Sequence, residues 1–258
     1  MSALLPAMEW RERNRVRWLQ AKLDGAGAAF STRLGGVSES PFDSLNLGLL
    51  TDDAEDAVVE NRFRLAAALG FRPEDVTFAR QVHGVDLALH DGTSFGCSFS
   101  SYDDQKEQKN APVADGHVLR QPGRAALVFV ADCLPVALAG PGGVAMVHAG
   151  WRGLAGGILA AGAEAVAATS AAIGPGIGPC CYEVGDEVLA AFTGLGDGVV
   201  TGRMLDLPEA ARRLLAGAGV ERVESAGLCT FCEEELFFSH RRDEGRTGRQ
   251  GGLAWIEA

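Results

Sequence analysis

AALVFVADCLPVALAGPGGVAMVHAG, residues 125–150, is the most apolar stretch of the chain. A membrane helix would need an unbroken apolar run, and this one is interrupted by Asp132, Pro135, Pro141 and several glycines. Two pieces remain, Ala125 to Ala131 and Gly143 to Ala149. Each has the length of a strand and is apolar on both faces, the pattern of a strand buried on both sides. Their C-terminal ends carry Asp132-Cys133 and His148. The same residues that set the fold therefore bring chemistry to strand ends.

Outward from this stretch the signals are mixed. Ala28 to Thr32 reads as a short strand, followed by the Gly, Ser, Pro and Asn-rich loop STRLGGVSESPFDSLNLG. Asp52 or Asp53 is placed to cap a helix to about Leu69, with Gly70 as its stop. Val76 to Val82 reads as a strand ending at His83. Further helices are expected over Leu154 to Thr169, Glu183 to Phe192 and Asp206 to Ala216, with a Gly/Pro turn at Ile173 to Pro179. Arg222 to Ala226 and Leu253 to Ile256 read as strands, and residues 1–25 as a polar peripheral element. The segment SFSSYDDQKEQKN, 98–110, holds two of the three lysines and no aliphatic residue, and reads as a mobile insertion. Strands and helices alternate only partly, so the fold class is α/β (α+β) without a regular doubly wound sheet. No repeat or linker divides the 258 residues, and a single domain is expected.

Composition narrows the function classes. Hydrophobic residues at 47% and charged residues at 22% allow a sizeable core without disulfides. A net charge of -11 argues against nucleic acid or an anionic membrane as partner. The N-terminal residues lack a secretory pattern, so a cytoplasmic protein with reduced thiols at its six cysteines is expected. No heptad or long apolar stripe calls for an oligomer, and a monomer is expected.

Gln81-Val82-His83-Gly84, Ala131-Asp132-Cys133 and His148-Ala149-Gly150-Trp151-Arg152-Gly153 place one Cys and two His near strand ends. With a fourth position left to water, that is the ligand composition of a catalytic zinc site. No short CxxC or HExxH unit ties them together, and spacing alone favours a buried Cys and hydrogen-bonded His. Asp132 and Asp115 adjoin these motifs as acid, base or His-orienting groups, or as turn and capping residues. Arg33 and the run Ser239 to Arg249 supply guanidinium groups suited to phosphate, or to pairing with nearby acids. Cys229-Thr230-Phe231-Cys232 suits redox chemistry or structural zinc, but a four-thiolate site would need Cys180-Cys181 as its second pair. Adjacent residues seldom chelate one ion well, so ordinary reduced cysteines are expected there.

FSTRLGGVS (30–38), SLNLG (44–48), VVENR (58–62), QVHG (81–84), ADG (114–116), ADCLPV (131–136), HAGWRG (148–153), IGPGIGPCCYEVG (173–185), CT (229–230), FFSHRR (237–242) and TGR (247–249) occur in one order. Together they resemble the multicopper polyphenol oxidase (laccase)-like proteins, more recently described as purine nucleoside phosphorylases. The match runs from about residue 28 to the C-terminus, and HAGWRG with ADCLP is its most specific part. The resemblance implies a four-layer α/β/β/α sandwich of mixed sheets with one metal site in a cleft. It implies zinc on His83, Cys133 and His148, and phosphate-dependent cleavage of adenosine, inosine and methylthioadenosine, with deamination of adenosine besides. On chemical grounds Asp132 and Arg33 are expected to be catalytic, and Arg33, Gln81, Asp115, Arg152, Arg241, Arg242 and Arg249 to contact substrate. Leu49-Leu50-Thr51-Asp52 departs from the family's His-Val-Gly-Asp-like stretch, and with the 98–110 insertion bears on substrate range.

Five histidines in all cannot build the multi-copper cluster of a true laccase, although one copper can occupy a Cys/His site in place of zinc. Zinc-assisted deamination would use Asp132 to move the proton, whereas phosphorolysis needs a phosphate site, for which Arg33 is the first candidate. The partners are then a purine nucleoside and inorganic phosphate. The alternative is a peptidoglycan-editing hydrolase acting on cytoplasmic precursors, with Cys133 as nucleophile and a His as base.

Overall fold

The computed structural model describes residues 8–90, 97–99 and 112–257. In chain order these form β1 (Glu9–Arg13), β2 (Val16–Leu23), β3 (Ala26–Ser31), α1 (Glu55–Leu69), β4 (Val76–Phe78), β5 (Leu87–His90) and β6 (Cys97–Ser98). Next come β7 (Gly116–Leu119), β8 (Ala125–Val130), β9 (Leu134–Gly140), β10 (Gly143–Ala149), α2 (Trp151–Gly156), α3 (Ile158–Val166) and β11 (Ser170–Ile173). The rest are α4 (Asp186–Phe192), β12 (Val200–Thr201), β13 (Met204–Leu205), α5 (Leu207–Gly217), β14 (Arg222–Ser225) and β15 (Gln250–Ile256).

Two mixed sheets result. The first has the order β1-β2-β3-β15-β8-β4-β6, with β4 parallel to β8. The second has the order β14-β11-β9-β10-β7-β5, with β11 parallel to β14 and β5 parallel to β7. Strand alternation explains why the 125–150 stretch is apolar throughout. On β8, Ala126, Val128 and Val130 face the second sheet, while Leu127 packs with Leu65 and Ala66 of α1. On β9, Ala137 and Ala139 join the layer between the sheets. Leu134, Val136 and Leu138 join the layer that packs with Leu154, Ile158 and Leu159 of α2 and α3. The order of layers is thus helix, sheet, sheet, helices, the four-layer α/β/β/α sandwich expected from the resemblance. Alanines between the sheets let them approach closely: a Cβ on Gly252 would lie 2.4 Å from the Cβ of Pro135 across the interface.

Several boundaries differ from the sequence reading. A third strand, β9, lies between the two expected ones. Pro135 obscures it, but it sits one residue beyond the last β9–β11 register pair, Val136 with Ile173, where a missing N–H breaks no ladder. β1 is an exposed edge strand, as expected of a peripheral element, but β2 is not peripheral: Val16, Trp18, Leu19, Ala21 and Leu23 are buried in it. The Ala-rich helix is broken at Gly157, which closes α2 in the left-handed region at φ 93°. Asp53 does not cap α1; its side chain accepts from the Ala54 N–H and from Asn46. Asp206 does cap α5, accepting from the Glu209 N–H at 2.9 Å. Of the 98–110 segment, Ser98 pairs with Thr77 in β4 and Phe99 is buried against Phe78. Residues 100–110 lie outside the described residues.

The loop after β3 is held by α1. Asn61 accepts from the Val37 N–H and donates to Ser38 Oγ and to the Asn46 carbonyl, and Arg62 Nε donates to the Leu47 carbonyl. These contacts give VVENR its place in the motif set, because they fix the loop that ends at the cleft.

Candidate active site

The chain crosses from the first sheet to the second at Ala131-Asp132-Cys133. Asp132 turns it with φ 85°, and Cys133 emerges at the start of β9. His148 is the penultimate residue of β10, directly opposite Pro135. His83 comes from the irregular stretch after β4 and takes φ 62°. The strand expected to reach it stops at Phe78. The three ligand atoms of His83, Cys133 and His148 lie within 4.8 Å of one another. Gly150 closes the cradle: a Cβ there would come within 2.9 Å of Cys133 Sγ and 3.1 Å of the His83 ring.

Asp115 organises this trio. It is fully buried, and four N–H groups converge on its carboxylate. Oδ1 accepts from His148 Nδ1 at 2.8 Å and from the His83 backbone N–H at 2.8 Å. Oδ2 accepts from the Val82 and Gly84 N–H groups at 3.1 and 2.7 Å. Burial pushes the carboxyl up, but His148 and the backbone donors outweigh it and hold it at about 2. A carboxylate on Nδ1 leaves Nε2 of His148 free to ligate, and the backbone bonds fix the left-handed turn at His83. Asp115 was expected among substrate contacts. Its burial and its engaged oxygens exclude that, and match the His-orienting role instead.

With no metal, burial would push the Cys133 thiol up, yet His148 and His83 draw it down to about 6. Burial in turn lowers His148, but Cys133 and Asp115 raise it to about 9. Each of the two thus favours the charged form of the other. One thiolate and two imidazoles opening into a cavity fit zinc with a free fourth position, and would also take a single copper ion.

The cavity has a volume of about 520 Å³. Phe129, Trp151, Ile177 and Tyr182 give it an apolar, largely aromatic wall, and Leu50 and Thr51 bring the loop after β3 to it. Arg152, Arg241 and Arg249 also line it. Arg152 stacks on Trp151 at 4.3 Å, and Arg241 reaches over Tyr182 at 5.3 Å while donating to the Glu183 carbonyl. Arg249 donates to the Thr247 and Gly248 carbonyls. Burial presses Arg249 down, against the pull of Cys133 and Asp132.

Other expected site residues are placed differently. Arg33 is not a wall residue of this cavity. Its guanidinium bonds to the Asp43 and Glu234 carbonyls, pairs with the Asp43 carboxylate at 3.2 Å and covers Phe238. Nor does Arg242 line it: its guanidinium pairs with Asp243 and bonds to the Thr230, Phe231 and Phe237 carbonyls. Both are struts between loops, because a guanidinium with several converging carbonyls satisfies its donors inside the protein. Gln81 lines the cavity, but its amide exchanges two hydrogen bonds with the Phe129 backbone at 2.7 and 2.9 Å, continuing the sheet past the end of β4. Asp132 lines the cavity as well. Its carboxylate accepts from Thr230 Oγ1 at 2.6 Å and from the Arg241 N–H at 2.7 Å, so it holds two loops in place. Tyr182 and His240 line the cavity and had no assigned role from sequence. Tyr182 was visible only within the CCYEVG motif. Burial and the nearby Cys133 push its hydroxyl up to about 12, so it stays a donor.

The multi-copper polyphenol oxidoreductase laccase family matches residues 27–257. The chain belongs to this family. Among its relatives, purine nucleoside phosphorylase YfiH of Escherichia coli is 38% identical over 254 residues, covering 93% of this chain and 97% of the relative. Purine nucleoside phosphorylase YlmD of Geobacillus stearothermophilus is 40% identical over 253 residues, covering 90% of each. A solved structure of Bacillus licheniformis hypothetical protein YfiH superposes with a TM-score of 0.83 at 33% identity, covering 96% of this chain and 99% of that one. The family description speaks of many coppers. In this chain only two of the five histidines join the Cys133 cluster; His90 and His117 bond to each other at 3.0 Å in the interior. No helix among the described residues is long and apolar enough to cross a membrane.

Proposed function

We propose that the chain is a cytoplasmic, single-domain, monomeric purine nucleoside phosphorylase with zinc on His83, Cys133 and His148. Its substrates would be adenosine, inosine and methylthioadenosine, with deamination of adenosine as a second activity. The observation that supports this most is the union, in one cavity, of the Cys/His trio with three arginines and an aromatic wall. The volume of about 520 Å³ suits a nucleoside with a phosphate beside it. The relatives named purine nucleoside phosphorylase point the same way.

The base stacks on the Trp151, Phe129 and Tyr182 wall. Arg249, with Arg152 and Arg241, binds the phosphate in place of Arg33. In phosphorolysis a phosphate oxygen bonds to the anomeric carbon as the bond to the base nitrogen breaks. The departing base takes up a proton, and Tyr182 and His240 are the donors at hand. Asp132 positions Thr230 and Arg241. Zinc, when bound, supplies Lewis-acid polarisation at the open ligand position. Asp115 keeps the His148 tautomer that such binding needs.

A second reading rests on one specific observation: Asp115, His148 and Cys133 are linked in series, the order of a nucleophile, base and orienting acid. In a metal-free chain that series would suit a hydrolase acting on peptidoglycan precursors. Chromatography of adenosine reactions with and without phosphate separates the readings. Free base that requires phosphate supports the phosphorylase, and inosine in both samples supports the deaminase. Unchanged adenosine in both, with Cys133 metal-free and alkylatable, overturns the proposal in favour of the hydrolase.

A further inference from the structure

Outside the cleft, the described residues contain a second group of close metal-ligand side chains. The sulfurs of Cys180, Cys181, Cys229 and Cys232 all lie within 4.8 Å of one another. Cys232 Sγ is 3.5 Å from Cys180 Sγ and 3.4 Å from Cys181 Sγ. Sulfurs at the corners of a tetrahedron around one zinc, with bonds of about 2.3 Å, stand about 3.8 Å apart. The four thiols are thus already spaced for one ion. A disulfide would require a separation of about 2.05 Å.

The backbone explains how adjacent cysteines share one ion. The chain winds into a tight turn in which the Cys181 and Tyr182 N–H groups both donate to the Gly178 carbonyl. In this turn both sulfurs reach Cys232. The opposing pair is a Cys-x-x-Cys turn, the common spacing of structural zinc ligands. The two loops are already zipped at Gly176, which donates to the Leu228 carbonyl at 3.3 Å and accepts from the Thr230 N–H at 3.0 Å. The Gly178 N–H donates to Cys229 Sγ at 3.3 Å, a bond that favours the thiolate. Cys180 and Cys232 are exposed, so an ion has access.

We propose that Cys180, Cys181, Cys229 and Cys232 form a second metal site, a closed four-thiolate zinc site distinct from the cleft. It fastens the loop bearing Ile177 and Tyr182 to the loop bearing Thr230, and Thr230 in turn holds Asp132. Its role is structural, because four protein ligands leave no open position. Zinc enters as the thiols release their protons, with no change of oxidation state.

Zinc per chain, measured by plasma mass spectrometry on the full-length protein, tests this independently of any activity. The Cys133→Ser chain, with the cleft site disabled, retains one zinc. Cobalt substituted into it shows sulfur-to-cobalt charge transfer of the intensity of four thiolates. Adding Cys229→Ser and Cys232→Ser abolishes both signals. Because wild type and Cys133→Ser keep all four thiols, misfolding of the triple variant cannot decide the matter. A Cys133→Ser chain without metal, whether its thiols titrate freely or its intact mass is two hydrogens light from a disulfide, overturns the proposal. So does a site that holds iron as a cluster instead of zinc.

Discussion

Asp115→Asn isolates the group that the structure makes central to the metal cradle. The wild-type carboxylate accepts two N–H donors on each oxygen. An amide keeps one oxygen and puts an NH2 in place of the other. Whichever way it turns, two donors lose their acceptor: either His148 and His83, or Val82 and Gly84. Charge-assisted bonds of this kind contribute about 1.5–3 kcal/mol each, so the expected loss of two is about 3–6 kcal/mol. For a chain of this size that lowers the thermal midpoint by on the order of 10 °C. The relaxed alternative is worse for metal: if His148 Nδ1 accepts from the NH2, Nε2 carries the proton and cannot ligate. Zinc affinity therefore falls about 10–100-fold. Thermal unfolding of the chelator-treated protein and competition against a chromophoric chelator read the two effects separately. An Asp115→Asn chain that melts and binds zinc like wild type would refute this reasoning.

Gly150→Ala places a methyl 2.9 Å from Cys133 Sγ, and zinc affinity in the cleft should fall at least about tenfold with little change in unfolding. Unaltered affinity by chelator competition would mean the cradle is looser than the geometry implies. Arg249→Gln should raise the KM for phosphate about tenfold or more. Arg33→Gln should leave that KM alone and lower stability, because its bonds are internal; steady-state phosphate titrations and urea melts check both. His117 should make the fold acid-sensitive. Burial first, then His90, lowers it to about 3, so below about pH 6.5 only the unfolded chain takes up its proton. Its stabilising contribution is intact above pH 6.5 and is lost toward pH 3 at up to about 1.4 kcal/mol per pH unit. His117→Gln should remove that slope from urea melts between pH 5 and 7, and identical slopes would contradict the assignment.

The sequence disclosed much of the layered fold, because strands buried on both faces carry apolar residues at every position, as on β8 and β10. It concealed β9, since Pro135 looks like a breaker until the register shows where its backbone points; Asp132 does break the chain, at the crossing between the sheets. The Cys/His trio was legible as motifs but not as a cluster: its three members come from two strand ends and an irregular loop shaped by Asp115. The guanidiniums were the hardest to sort. Nothing in sequence distinguishes Arg249, which faces the cavity, from Arg33 and Arg242, whose donors meet carbonyls of distant loops. The four outer cysteines misled for a similar reason. Adjacent Cys180 and Cys181 look like poor chelators until the turn at Gly178 brings both sulfurs to Cys232.

The most direct test of the cleft assignment is a phosphorus NMR time course of the zinc-loaded protein with adenosine and inorganic phosphate. A sugar 1-phosphate resonance should grow as inorganic phosphate falls, in step with released base and with any base formed through inosine. Release of base at constant inorganic phosphate, or no release at all, would contradict the phosphorylase.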